Sequence, residues 1–320
     1  MLNNSDSPNQ SVELGVELKP ISFIELEKMK TSRGDLYWKK GNNKLVKLLH
    51  SGDYLDFSKL EKFKKVTEHL YISEICDEDF IARGGELLSR LLATQNERER
   101  LSLRGEFLEH ISLIYWDGDR DGSLLSLAII FKDSFYNISP EFEEVMDRNA
   151  LSILRRASLY SSLVTLFALA LGYTHGSFLS DLFNISFFND YSYSKKLYTS
   201  GEDVSTTHVT ESLEAFKESK LYELRNKHLS KLITFHHEEF KGSGKLVGLN
   251  FNELSDVEKI SIFVEKSLSY SEYEFSNNDG TGLLKKILGK IDEEEEEFLR
   301  SFREELVGVF LEVSSKEEVA

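Results

Sequence analysis

The spacing of apolar and polar positions predicts a short α/β part near the start of the chain. Three apolar runs bounded by turn-forming residues have the length and composition of β-strands: Leu36–Trp38, Leu45–Leu49 and Leu70–Ile72. Between the second and third runs, residues 56–65 carry a large apolar side chain at every third position from Phe57 to Phe63, which predicts an amphipathic helix. We therefore predict a small α/β domain over residues 18–75.

After Cys76 the apolar positions recur every three or four residues, as in the leucines from Leu87 to Leu92, and this is the period of an amphipathic helix. The three prolines of the chain stand at positions 8, 20 and 140, so no later residue is required to kink or end a helix. The pattern predicts a helical connecting region over residues 76–149 and a helical domain over residues 150–290. The expected fold class is therefore mainly α.

The two ends of the chain differ in composition. Residues 1–17 are polar with few large apolar side chains, which predicts a flexible arm. Residues 291–320 carry 11 acidic and 3 basic side chains and predict an acidic amphipathic helix. Its apolar stripe consists of Phe298, Phe302, Leu306, Val309, Phe310 and Val313. Burial of each such side chain is worth about 1.5–3 kcal/mol, so we expect this helix to pack on its own domain, with a second chain as the alternative.

Charge and cysteine content exclude several classes of function. The chain has 39 Lys and Arg against 55 Asp and Glu, and its net charge of −16 opposes binding to a nucleic acid polymer. The single cysteine, Cys76, cannot form an intramolecular disulfide, which indicates a reducing compartment. The longest apolar run, Leu163–Tyr173, is shorter than the roughly 20 residues that span a bilayer. We therefore expect a cytoplasmic protein that does not bind membranes.

The most informative string for chemistry is His236-His237, which follows a helical run and precedes a glycine-rich loop beginning at Gly242. Two neighbouring imidazoles at a helix end can bind a metal, and glycines let a ligand approach the backbone closely. The alternative is two ordinary surface histidines followed by a turn that ends the helix.

The order of candidate residues along the chain resembles the HD-GYP family of helical cyclic di-GMP phosphodiesterases. The resemblance covers about residues 150–290 and is carried by Asn189-Asp190, His208, His236-His237 and Glu265 in that order. Glu265 follows His237 by 28 positions, which suits the family's last ligand. The resemblance implies an HD-type helical domain, and the small α/β domain before it is similar to an amino-terminal domain of some bacterial members.

The resemblance also implies a metal site. Its ligands would be Asp190, His208, His236 and His237, with Asn189 and Glu265 as weaker ligands. A ligand loop would be formed by Gly242, Ser243, Gly244 and Lys245. Three imidazoles and one carboxylate can hold one transition metal ion, Fe, Mn or Zn.

Several positions of the family's signature are altered in this chain. No histidine occurs in the helix around Arg155–Ser162, the His-Asp pair reads Asn189-Asp190, and the last Asp is Glu265. The Gly-Tyr-Pro sequence reads Gly244-Lys245-Leu246, and Tyr193 replaces a lysine after the pair. Hydrolysis of this kind needs two metals that share a bridging carboxylate. We therefore expect a degenerate signalling protein, a pseudoenzyme that holds one metal and binds a cyclic dinucleotide or a protein, with hydrolysis lost or strongly reduced.

Two other functions fit the same sequence. An active metal-dependent cyclic di-GMP phosphodiesterase would use Asp190 at its catalytic centre, whereas a purely structural interaction protein would bind no metal. A protein partner could bind the acidic carboxy-terminal helix or the lysine-rich 35–65 segment, which has eight lysines and four acids. The turn Asp117–Gly122 begins like a calcium loop, but Ala128 stands where a bidentate Glu is required, so a plain acidic turn is favoured.

Overall fold

A computed structural model gives the fold of the chain. It describes residues 18–41, 44–73, 76–116, 123–139, 142–143, 145–146, 151–194, 204–219, 221–222, 227–237, 253–268 and 304–310. The chain divides into two compact units, residues 1–76 and residues 77–320. The predicted arm, the turn Asp117–Gly122 and the ligand loop from Gly242 to Lys245 lie outside the described residues.

The first unit contains a four-stranded antiparallel sheet with the strand order β1-β4-β2-β3. Its strands are β1 (Leu18–Ser22), β2 (Leu36–Lys40), β3 (Lys44–Leu49) and β4 (His69–Ser73), and its helices are α1 (Phe23–Leu26) and α2 (Phe57–Lys64). One apolar core joins the sheet to both helices: Ile21, Phe23, Leu26, Leu36, Leu55, Leu60, Leu70 and Ile72. The three predicted strands and the predicted helix are confirmed.

Asp35 connects the start of β2 to β3 and to the turn after it. Its carboxylate accepts a hydrogen bond from the Ser51 backbone N–H at 2.9 Å and pairs with the Lys47 ammonium group. The Tyr37 hydroxyl also donates to this carboxylate, at 3.3 Å. Burial alone would raise the pKa of Asp35, but the bonds from Lys47 and Ser51 outweigh it, and the pKa is lowered.

The second unit is helical in its described residues. Its helices are α3 (Glu78–Ala93), α4 (Glu97–Trp116), α5 (Ser123–Phe135), α6 (Leu151–Ala170), α7 (Gly176–Ser186), α8 (Val204–Glu218), α9 (Lys231–Phe235) and α10 (Asp256–Ser267), with short 3-10 turns at Tyr191–Ser194 and Lys227–Ser230. The predicted fold class, mainly α after a small α/β domain, is confirmed. Helices α3 to α5 belong to the same compact unit as the later helices, and the predicted division at residue 150 stays a prediction.

Helix α6 forms the centre of this unit, because it packs against α5, α7 and α10. In the described part of the chain, the window Ile153–Ala170 is long and apolar enough to cross a membrane by length and composition, yet 94% of it is buried inside the protein. Phe167 packs edge-on against Phe263 of α10 at 5.8 Å between ring centroids. The central helix of a folded core has this same composition, and the window also includes the charged residue Arg156.

Residues 304–310 form a helix that carries part of the predicted apolar stripe. Leu306 and Phe310 are fully buried within the chain, whereas Glu304 and Glu305 are exposed. The described part of the stripe therefore packs internally, with its acidic side chains outward. The stripe residues Phe298, Phe302 and Val313 lie outside the described residues.

Candidate metal site

Three histidines from two parts of the second unit meet at one point. His208 lies on α8, and His236 and His237 directly follow α9. The Nε2 atom of His208 lies 3.2 Å from Nε2 of His236 and 3.0 Å from Nε2 of His237. One ring nitrogen from each residue lies within 4.8 Å of the others, and these three residues could hold a metal ion.

The spacing of these nitrogens fits a metal ion. A Zn–N bond is about 2.0–2.1 Å long, so two such bonds at an octahedral or tetrahedral angle place their nitrogens roughly 2.8–3.4 Å apart. Both Nε2–Nε2 distances from His208 lie in this range. The three imidazoles therefore offer nitrogen ligands at the spacing expected around one transition metal ion.

Neighbouring groups orient two of the rings. The Nδ1–H of His236 donates to the Ile233 carbonyl at 2.8 Å, which leaves its Nε2 as the nitrogen with the lone pair. The Tyr193 ring stacks on His208 at 4.5 Å between centroids, with its hydroxyl 3.3 Å from Nδ1. Burial, and then the neighbouring His237 and His208, hold the pKa of His236 well below its usual value. The neutral ring favoured by this low pKa is the form that binds metals.

Arg156 of α6 occupies the adjacent part of the core and is fully buried. Its guanidinium pairs through Nη1 with Oδ2 of Asp190, which follows α7, and through Nη2 with Oε1 of Glu265 on α10 at 2.6 Å. The exposed fractions of the two acidic side chains are only 1% and 9%. We call this group of three residues the arginine bridge.

The structure separates the predicted ligands into two groups. His208, His236 and His237 come together, but Asp190 is not a fourth member of their cluster among the described residues and instead pairs with Arg156. Glu265 belongs to the arginine bridge, because the guanidinium supplies the cation that its carboxylate contacts. Asn189 is 1% exposed and lies near the Tyr160 hydroxyl.

Sequence reasoning did not identify Arg156 as a site residue. The available signal is the pair Arg155-Arg156 within an otherwise apolar helix, since a charged residue on the buried face of a helix needs a partner. Ion pairs to residues on other helices cannot be derived from that signal.

Comparisons with known proteins add little to this description. No protein-family model and no curated protein matches the chain. One solved structure, of Bd1817, an HDG"Y"P protein from Bdellovibrio bacteriovorus, is similar to this chain with 15% sequence identity and a TM-score of 0.37. The aligned region covers 91% of this chain and 98% of the Bd1817 chain. Because a TM-score this low does not establish a shared fold, the similarity of this chain to the HD-GYP family rests on the motif residues.

Proposed function

We propose that the chain is a degenerate HD-GYP-type signalling protein that holds a single transition metal and has lost most or all hydrolysis of cyclic di-GMP. The observation that supports this most directly is the division of the ligand candidates. Three imidazoles converge at metal-ligand spacing, while the acidic side chains of Asp190 and Glu265 contact the Arg156 guanidinium.

The donor set explains why one metal is expected and two are not. His208, His236 and His237 would hold an Fe, Mn or Zn ion, which would supply a Lewis acid for phosphate oxygens. A second metal would need carboxylates, and Arg156 lies against one oxygen of Asp190 and one of Glu265. With a single metal, phosphate binding is retained more readily than phosphodiester cleavage.

The proposed activity is therefore binding. The ligand would be a cyclic dinucleotide, which carries two phosphates that a metal centre can contact. A protein partner would bind the acidic carboxy-terminal helix, whose Glu304 and Glu305 are exposed, or the lysine-rich 35–65 segment.

The metal content is tested by elemental analysis of protein purified without chelator. We expect one transition metal atom per chain, and its loss in the variants His236→Gln and His237→Gln. His228→Gln is the matched control, because His228 is an exposed histidine of the same segment outside the cluster. Two metals per chain would contradict the proposal and favour an active enzyme, and no metal would favour a structural protein.

Catalysis is tested by product formation from cyclic di-GMP with added Mn²⁺ or Fe²⁺. We expect turnover to be absent or slow in the parental chain, because a second metal would compete with Arg156 for Asp190 and Glu265. Metal-dependent turnover that disappears in Asp190→Asn would show that the chain is a working phosphodiesterase.

A further inference from the structure

We infer that the Arg156 guanidinium takes the place of a second metal cation, so that the chain fills its own cation site with a side chain. The inference rests on the proposed function, because it explains why the centre would take one metal instead of two. It adds a specific site, formed by Asp190 and Glu265 around Arg156, and a specific role for the arginine.

The burial of the charges supports this role. Arg156, Asp190 and Glu265 come from α6, from the turn after α7 and from α10, and their side chains are 0%, 1% and 9% exposed. Buried carboxylates are tolerated when a cation compensates them. Among the described residues, Arg156 is the cation that forms ion pairs with both acids.

One further oxygen atom at the same place remains without a partner. The Oε2 atom of Glu265 is buried and makes no hydrogen bond within the described part of the chain, and the buried Asn189 amide, next to Asp190 in the sequence, lies near the Tyr160 hydroxyl. Carboxylate and amide oxygens are ligands that hard divalent cations such as Mn²⁺ and Mg²⁺ prefer. The arginine bridge therefore contains a buried carboxylate oxygen, Oε2 of Glu265, with which the Arg156 guanidinium does not pair and which a divalent cation could bind.

Arg156 also lies close to the three-histidine cluster. The Asp190 backbone carbonyl accepts a hydrogen bond from the Tyr193 N–H at 3.0 Å, and the Tyr193 ring stacks on His208 of the cluster. A guanidinium keeps its charge throughout the physiological pH range. Because it is part of the chain, it cannot dissociate and be replaced by a metal ion from solution. Arg156 thus places a permanent positive charge beside the proposed metal, but its guanidinium cannot take a phosphate oxygen as a ligand in the way a metal ion does.

The first experiment removes the arginine from the full chain. We expect Arg156→Ala to bind one Mn²⁺ more per chain than the parental protein, by elemental analysis and calorimetric titration. Added Mn²⁺ should raise the melting temperature of Arg156→Ala by several degrees beyond its effect on the parental chain. Arg155→Ala is the matched control, because it removes the same side chain one position earlier in α6, and it should bind no additional Mn²⁺.

The same substitution in a His236→Gln/His237→Gln background separates this inference from the proposed function. There we expect Arg156→Ala to change the Mn²⁺ content from zero to one per chain, whether or not the histidines hold a metal in the parental protein. A folded Arg156→Ala chain that gains no Mn²⁺ in either background would overturn the inference.

A second pair of variants keeps the test valid if Arg156→Ala does not fold. Arg156→Met removes the cation that pairs with both Asp190 and Glu265, so we expect a lower melting temperature. Adding Glu265→Gln to Arg156→Met should recover part of this loss, because it removes one of the two buried negative charges. If Arg156→Met melts at the parental temperature, the guanidinium is not needed as a cation and the inference fails.

Discussion

A charged side chain organises the polar contacts around it in each unit, Asp35 in the first and Arg156 in the second. Asp35 receives bonds from Ser51 and Lys47, and Arg156 pairs with Asp190 and Glu265. In both places an ion pair offsets the cost of burial. A charged residue of this kind affects stability in two ways: its own protonation state changes with pH, and its replacement leaves its partner with less compensation of charge.

We predict that Asp35 makes the first unit sensitive to acid. The pKa of Asp35 is lower in the folded chain than in the unfolded chain, where it is about 3.9. The contribution of Asp35 to the free energy of unfolding is therefore fully present above this unfolded value and is lost as the pH falls through the folded value. The free energy of unfolding should therefore decrease between about pH 5 and pH 3, and Asp35→Asn should reduce this dependence.

The measurement is urea unfolding followed by Trp38 fluorescence in a Trp116→Phe background, which leaves Trp38 as the remaining tryptophan of the chain. Glu61→Gln on α2 is the control, because it removes an exposed acidic group. An unchanged pH slope in Asp35→Asn would contradict the prediction.

At the residue level, the sequence predicted the histidine cluster better than the arginine bridge. His208, His236 and His237 were grouped as ligands by the resemblance to the HD-GYP family, and their binding of a metal stays a prediction. The partners of Arg156 could not be predicted, because the sequence does not show which of Arg155 and Arg156 faces the core. Their identification requires the positions of α7 and α10 relative to α6.

At the level of elements, close packing in the first sheet depends on a glycine. Gly34 lies two residues before β2, and a Cβ atom at this position would lie far inside van der Waals contact with the Ser73 carbonyl oxygen of β4. The Asp35 backbone N–H donates to the Ser73 hydroxyl at 2.9 Å, and the Ser73 N–H donates to the Asp35 carbonyl at 3.0 Å. These bonds form only because the backbone around Asp35 lies close to the backbone of β4 at Ser73.

We predict that Gly34→Ala destabilises the first unit by about 1–3 kcal/mol, because the added methyl group must move one of the two backbones. The same Trp38 fluorescence assay measures the change. Gly41→Ala, at the end of β2, is the control because nothing lies within 4 Å of its added Cβ. Equal stability of the two variants would show that the contact with Ser73 is not restrictive.

The elements that the sequence predicted have a clear apolar pattern. The strands β2 to β4 each contain an apolar run, and the helix α2 has an apolar side chain at every third position. Strand β1, in contrast, reads Leu18-Lys19-Pro20-Ile21-Ser22 and buries Ile21 alone. Strand β1 is an edge strand that pairs with β4, a position that tolerates Pro20. The sequence did not predict it, because its formation depends on the partner strand more than on its own pattern.

At the level of the whole molecule, residues 304–310 pack into the second unit although they lie far along the chain from its core helices. Leu306 and Phe310 are both 0% exposed. The apolar stripe predicted this burial, because side chains of this size do not remain in water when a docking surface exists. The sequence left open whether that surface belongs to the same chain.

We predict that Phe310→Ala destabilises the second unit by about 3–5 kcal/mol, because it leaves a cavity in the core. Thermal unfolding followed by far-ultraviolet circular dichroism measures the effect. Glu305→Ala, on the exposed face of the same helix, should change stability by less than about 0.5 kcal/mol. A melting temperature in Phe310→Ala equal to that of the control would contradict internal packing of this helix.

Arg156 and Glu265 lie 109 positions apart along the chain. A contact between such distant positions requires the intervening chain to close into a loop, and the entropy of that closure opposes folding. Domains rich in non-local contacts fold more slowly than domains of similar stability whose contacts are local. The arginine bridge therefore belongs to the non-local contacts that make the second unit slower to fold than a bundle whose helices contact only their neighbours in sequence.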